Sequence, residues 1–205
     1  MTAPAPWLYL ASQSPRRRQL LDQIGVVHRL LLPDAHEDAE GLETVRTGES
    51  PDDYVQRVTR AKADAAVQRL QRRWQAVPTE WPSAPVLCAD TTVALGSDIL
   101  GKPADAADAL RILKSLSGRV HRVLTAVVVD GELRVSASTV AWRPVSNDEL
   151  ARYVDSGEPM GKAGAYAIQS HAAAWIERIE GSYSGIMGLP LFETAELLRP
   201  RGWRF

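Results

Sequence analysis

Two kinds of apolar pattern alternate along the chain. Short unbroken runs, WLYL at 7–10, VLCA at 86–89 and VLTAVVV at 123–129, read as buried strands. Between them lie segments in which apolar residues recur every three or four positions, the spacing of a helix with one buried face. The first helix follows WLYLAS: Ser14 suits the N-cap, Pro15 the first turn, Leu20, Leu21 and Ile24 form the stripe, and Gly25 ends it. A second strand, HRLLL, leads into an acidic loop, PDAHEDAE. Ser50 and Pro51 then start a long helix on which Val55, Val58 and Lys62 share a face. VLCADTTVAL is followed by a Gly-Ser-Asp turn and a short return strand. A helix closed by Gly118 comes next, then a hairpin around Asp130-Gly131 and a helix opened by a Ser146/Glu149 capping box. The last third reads as a glycine-dotted loop, a strand, another loop and a final helix from about Pro190. Strands and helices mix from end to end, so the pattern predicts one α/β domain over 1–205 built on a mixed sheet, with no separate linker. The proline- and tryptophan-rich stretch 74–85 reads as an insertion loop.

At 205 residues the chain is long enough to bury a substantial core. Its 24 basic and 25 acidic side chains leave no global field to attract nucleic acid or an acidic membrane, so any attraction for anions is local. The lone cysteine, Cys88, cannot form an intramolecular disulfide, which fits the reducing cytoplasm. The opening MTAPAPWLYL lacks a basic segment before its short apolar run, so neither a secretory leader nor a membrane span is expected.

Against this even background, three consecutive arginines at a helix start stand out. Arg16, Arg17 and Arg18 occupy the turn that carries the positive end of the helix dipole, where cations are unfavourable unless an anion joins them. At about 100° per residue they separate: Arg17 sits above the buried stripe, Arg18 points away toward Asp22, and Arg16 lies at the helix mouth. Free amides with Arg16 and Arg17 make a phosphate site. Asp90 interrupts an otherwise buried strand, where a carboxylate needs a cation or several donors; backbone amides at a strand end are the other way to satisfy it. Lys102, in LGKPAD, and Lys62 can each meet a phosphate, or release their charges to water. Glu37 could join Asp90 at one cation, and an all-carboxylate set suits Mg2+ or Mn2+ rather than zinc. The four histidines, His28, His36, His121 and His171, show no ligand spacing. The carboxamide of Gln169 can donate and accept at once, matching uracil or thymine, unless it is simply an exposed loop residue.

Taken together, LASQSPRRRQLL, ADTTVAL, LGKP, LSGRVHRVLTAV, GKAGAYAIQS and GSYSGIMGLPLFET resemble the Maf family of nucleoside triphosphate pyrophosphatases across nearly the whole chain. The resemblance implies a Maf/inosine-triphosphatase-like fold with two lobes around a cleft. It also implies hydrolysis of a nucleoside triphosphate between the α and β phosphates, giving the monophosphate and pyrophosphate, and the divalent cation expected at Asp90 and Glu37 would bind the triphosphate. Thr91 beside Asp90, with Gln169, looks like the dTTP/UTP branch rather than the 7-methyl-GTP branch. By motif match Asp90 is the proton acceptor, Arg16, Thr91 and Gln169 bear on substrate choice, and Ser12, Arg17, Glu37, Lys62 and Lys102 are further polar positions of the cleft. Ser170 stands where the family commonly has glycine, and SGIMGLP replaces a more usual Asn-Val-Met sequence. A homodimer is expected from the same resemblance; the rival functions are a non-catalytic, nucleotide-sensing regulator of septum formation and a nucleic-acid-binding module using Arg16–Arg18, against which the near-neutral net charge stands.

Overall fold

The short apolar runs become strands of one sheet. In the computed structural model, which describes residues 6–34, 37–38 and 41–205, β1 (Trp7–Leu10) lies next to the sheet edge: β2 (Val27–Leu30), the edge strand, and β3 (Val86–Leu95) flank it, both parallel. Beyond β3 the sheet turns antiparallel through β5 (Val120–Val129), β6 (Glu132–Trp142) and β7 (Ile176–Glu180). A short β4 (Asp98–Leu100) folds back on β3, giving seven strands with the order β2-β1-β3-β5-β6-β7 and β4 off that path. The mixed α/β architecture is the one the pattern predicts. Between β5 and β6, Asp130 and Gly131 both adopt positive φ, 48° and 83°, which matches the twist of a tight hairpin.

α1 (Pro15–Gln23) buries Leu20 and Leu21. Ser14 takes the N-cap position, but its hydroxyl makes no cap bond; its own amide instead donates to Ser12 Oγ at 3.2 Å. Arg18 forms no ion pair with Asp22, whose carboxylate lies 3.7 Å from His28 Nδ1. α2 (Pro51–Ala76) starts at Ser50, which caps Asp53, and lays Val55, Val58, Ala63 and Ala66 toward β3 and β5. α3 (Ala106–Leu116) and α4 (Asn147–Asp155) pack together against the core, and the Ser146/Glu149 capping box forms as the sequence predicts. Completely buried side chains such as Leu87 and Leu124 line the interior, where trimming one leucine to alanine costs about 3 kcal/mol.

Two stretches read as loops carry more order. α5 (Tyr183–Met187) forms inside the glycine-rich GSYSGIMG, because Ser182 accepts from Gly185 N at 3.0 Å and Ile186 and Met187 are buried; five residues are too few to show a helical period. α6 (Leu191–Leu198) follows Pro190 as expected. In 74–85, Trp81 stacks on Tyr9 at 5.9 Å and lies beneath the guanidinium groups of Arg29 and Arg73, 4.2 and 4.6 Å from its ring. Tyr9 closes the contact by donating to the carbonyl of Pro82 at 3.1 Å. Among the described residues no helix is long and apolar enough to cross a membrane.

Candidate active site

A cavity of about 700 Å³ opens between the sheet, α1, α2 and the loop 161–169. Ser12, Arg16, Arg17, Glu37, Lys62, Asp90, Thr91, Lys102 and Gln169 all line it, so the fold gathers every site residue that the sequence singles out. His36 lies outside the described residues.

Asp90 is held in mid-strand, opposite Ala126 of β5, and is 8% exposed. Backbone amides at a strand end do not satisfy it. Its Oδ1 accepts from Lys62 Nζ at 2.5 Å, and the same ammonium donates to Glu43 Oε1 at 2.7 Å. Lys102 Nζ reaches the Glu43 carboxylate at 2.8 and 2.9 Å. Asp90, Lys62, Glu43 and Lys102 thus form one alternating chain of charge. Burial alone would raise the Glu43 carboxyl, but the two lysines hold it below its ordinary value. Burial alone would likewise lower Lys62; Asp90 and Glu43 outweigh it and keep the ammonium protonated.

It is Glu43, not Glu37, that shares the Lys62 ammonium with Asp90. Glu37 also borders the cavity, but its carboxylate is taken up by Arg69, at 2.5 to 3.1 Å, and by Arg72 at 2.8 Å. Arg69 is almost fully buried and also donates to the carbonyl of Leu31, so Glu37 pins the acidic loop to α2. Glu43 escapes sequence reasoning because its short 3-10 turn, 41–43, has no periodicity. One signal was there: two lysines beside a single buried aspartate call for a second anion. The turn is fastened from α2, where Tyr54 donates to the Glu43 carbonyl at 2.8 Å and Arg57 to the Thr44 carbonyl at 2.9 Å. Burial, with Asp90 and Glu43 adding to it, pushes the Tyr54 hydroxyl up to about 12.

The two inward arginines differ. Arg17 is spent on the protein: Nε donates to Gly188 O at 2.7 Å, Nη1 to Ser12 Oγ at 3.1 Å and Nη2 to Thr91 Oγ1 at 3.4 Å. Thr91 Oγ1 in turn meets Thr125 Oγ1 at 2.9 Å. Among the described residues Arg16 commits only Nε, to Met187 O at 3.3 Å; burial first, then the nearby Arg17, lowers its pKa.

A family model described as Maf-like protein matches residues 7–201. The chain belongs to the Maf-like protein family. Among its relatives, a protein of Cupriavidus metallidurans named dTTP/UTP pyrophosphatase is 63% identical over 97% of this chain and 98% of its own length. Proteins of the same name from Cupriavidus pinatubonensis and Albidiferax ferrireducens are 61% and 57% identical, again over 97% of this chain and 98% of theirs.

Within this Maf-like fold, Gln169 is exposed on the loop between 3-10 turns 163–165 and 171–175. Gly164 lets that loop close on β3: a Cβ there would fall 2.7 Å from a methyl of Val93. The residues beside Gln169 are tied down. Glu158 receives hydrogen bonds from Ser170, from Tyr153 at 2.7 Å and from His171 at 3.1 Å. Burial would raise the Glu158 carboxyl, yet these donors hold it low. On the cavity wall, Tyr166 meets the buried His121 Nε2 at 2.8 Å.

Among the described residues no three His, Cys, Asp or Glu side chains group as a ready-made metal cage. Magnesium nonetheless commonly takes only one or two carboxylates and completes its shell with substrate phosphates and water. Two carboxylates converging on one lysine, with no nitrogen or sulfur ligand beside them, fit that pattern.

Proposed function

We propose that this protein hydrolyses dTTP and UTP to the nucleoside monophosphate and pyrophosphate, with Asp90 as the catalytic carboxylate and Gln169 as a reader of the base. The observation that carries the proposal is the charge chain Asp90–Lys62–Glu43–Lys102 at the wall of a nucleotide-sized cavity that also holds Arg16 and Gln169. Near-full-length relatives bearing the name dTTP/UTP pyrophosphatase support the same substrates.

In this mechanism Lys62 holds Oδ1 of Asp90 and leaves Oδ2 to orient a water and accept its proton. The water oxygen bonds to the α-phosphorus, the bond to the α–β bridging oxygen breaks, and that oxygen leaves on pyrophosphate. Lys62 and Lys102 turn from Glu43 toward the phosphates and neutralise charge as it moves onto the leaving group. Asp90 and Glu43 would hold a divalent cation, Mg2+ or Mn2+, whose chemistry is to lower the pKa of a bound water and to shield phosphate charge. Arg17 keeps Ser12 and Thr91 in place, while Arg16 turns its remaining donors to the ligand. A nucleoside triphosphate substrate and an unpaired Cys88 support a cytoplasmic location for the reaction. The proposed assembly is a homodimer, which sedimentation checks.

The test is pyrophosphate release from dTTP, UTP, CTP, dGTP and 7-methyl-GTP with Mg2+ or Mn2+, using Asp90→Asn as control. Preferential turnover of dTTP and UTP, lost in a folded Asp90→Asn, is the expected result. Preference for 7-methyl-GTP overturns the base assignment, and nucleotide binding without turnover overturns the enzyme in favour of a sensor.

A further inference from the structure

The cations that line the cavity differ in their partners: Arg69 and Arg72 pair with Glu37, and Arg17 is spent on Gly188, Ser12 and Thr91. Lys62 and Lys102 are matched by Asp90 and Glu43 at 2.5 to 2.9 Å. Arg16 and Lys162 are not: Arg16 donates to the Met187 carbonyl and Lys162 to the Glu158 carbonyl, and neither makes an ion pair among the described residues. Burial first, then the charge of Arg16, lowers the pKa of Lys162; the other charged group acting on it is Glu158. Two neighbouring positive groups that form no ion pair among the described residues are held ready for acceptor atoms of a ligand.

Lys162 lies at the same end of the cavity as Gln169. Its ammonium contacts the backbone of Glu158, whose carboxylate takes the hydroxyl of Ser170, the residue after Gln169. Arg16, Lys162 and Gln169 all line the cavity.

Gln169 by itself cannot choose among pyrimidines. Its carboxamide matches the carbonyl and ring N–H of uracil or thymine in one orientation and, turned over, the amino group and ring nitrogen of cytosine. An ammonium or guanidinium has donors and no acceptor. Beside the base edge it favours a carbonyl and sets donor against donor when cytosine presents its amino group. Building on the dTTP/UTP assignment, we propose that Lys162 is a specificity-determining residue that, together with Arg16, reads the 4-carbonyl of uracil and thymine and rejects cytosine.

The experiment compares kcat/KM for UTP and CTP in the full-length protein, Lys162→Arg and Lys162→Gln, together with inhibition by inorganic tripolyphosphate, a ligand with no base. Lys162→Arg keeps the UTP preference. Lys162→Gln, whose amide can accept from the cytosine amino group, lowers the UTP-to-CTP ratio by about tenfold or more, and tripolyphosphate inhibits it as it inhibits the parent. A Lys162→Gln variant that loses UTP and CTP turnover equally, with weaker tripolyphosphate inhibition, makes Lys162 a phosphate ligand and overturns the inference. A parent protein without any UTP preference overturns the substrate assignment as well; a preference that Lys162→Gln retains overturns this inference alone.

Discussion

Glu43 and Asp90 close on a single ammonium: Lys62 Nζ lies 2.7 Å from one carboxylate and 2.5 Å from the other. The pairing joins the turn before α2 to the middle of β3, and Lys62 is the group that lets two acids stand so close.

Removing that cation should therefore damage more than binding. Lys62→Met takes the hydrogen-bond partner from Asp90 and removes one of the two cations that hold the Glu43 carboxyl low, leaving it Lys102 alone. Turnover of the preferred nucleotide is expected to fall by about a hundredfold or more, with an alkaline shift of the rate profile. Circular dichroism checks that the fold survives; an unchanged pH–rate profile would show that Lys62 does not control the pair.

Glu37 and Glu43 should separate cleanly when each is changed to glutamine. Glu43→Gln is expected to raise the metal concentration needed for half-maximal activity, with little change in melting temperature. Glu37→Gln leaves the buried Arg69 without its carboxylate and should cost about 3 kcal/mol of stability while sparing kcat. Metal titration and thermal unfolding of both variants provide the comparison, and a metal requirement that moves only in Glu37→Gln would return the ligand role to that residue.

These two glutamates mark the limit of what the sequence discloses. Local signals are legible: the Ser146/Glu149 box, the Asp130-Gly131 turn and the unbroken apolar runs of β3 and β5 each act over a few residues, and each forms as read. Asp90 is legible for a related reason, since a charge inside an apolar run is anomalous wherever the chain goes. The partner of Asp90 is not legible. Residues 43, 62 and 102 meet only because α2 crosses the sheet and β4 folds back, and no spacing in the chain encodes that meeting. Glu37, in the more acidic stretch, is the more conspicuous choice, yet its charge is needed by Arg69.

His121 supplies a pH test. Burial depresses its pKa from 6.5 to about 4, so the unfolded chain takes up this proton more readily than the folded one. Its contribution to stability is complete above about pH 6.5 and is lost as the pH falls toward 4, by about 3 kcal/mol in all. Urea unfolding at pH 7 and pH 5 should show this loss, and His121→Gln, which can keep a hydrogen bond to Tyr166, should flatten it. An equal pH slope in the variant would remove His121 as its source.

The 74–85 stretch should matter to stability and not to chemistry. Trp81→Ala removes a ring that contacts Tyr9, Arg29 and Arg73, and is expected to cost about 2 kcal/mol with kcat/KM unchanged. Chemical denaturation beside a standard activity assay is sufficient. A large loss of activity at full stability would assign the stretch a part in the reaction.

Arg17 ties distant parts of the chain together. Its three bonds gather Ser12, Thr91 and Gly188, one from the start of the chain, one from the middle and one from near its end. The floor of the cavity is therefore complete only when the last third of the chain is in place, because the carbonyl of Gly188 takes the Arg17 Nε–H.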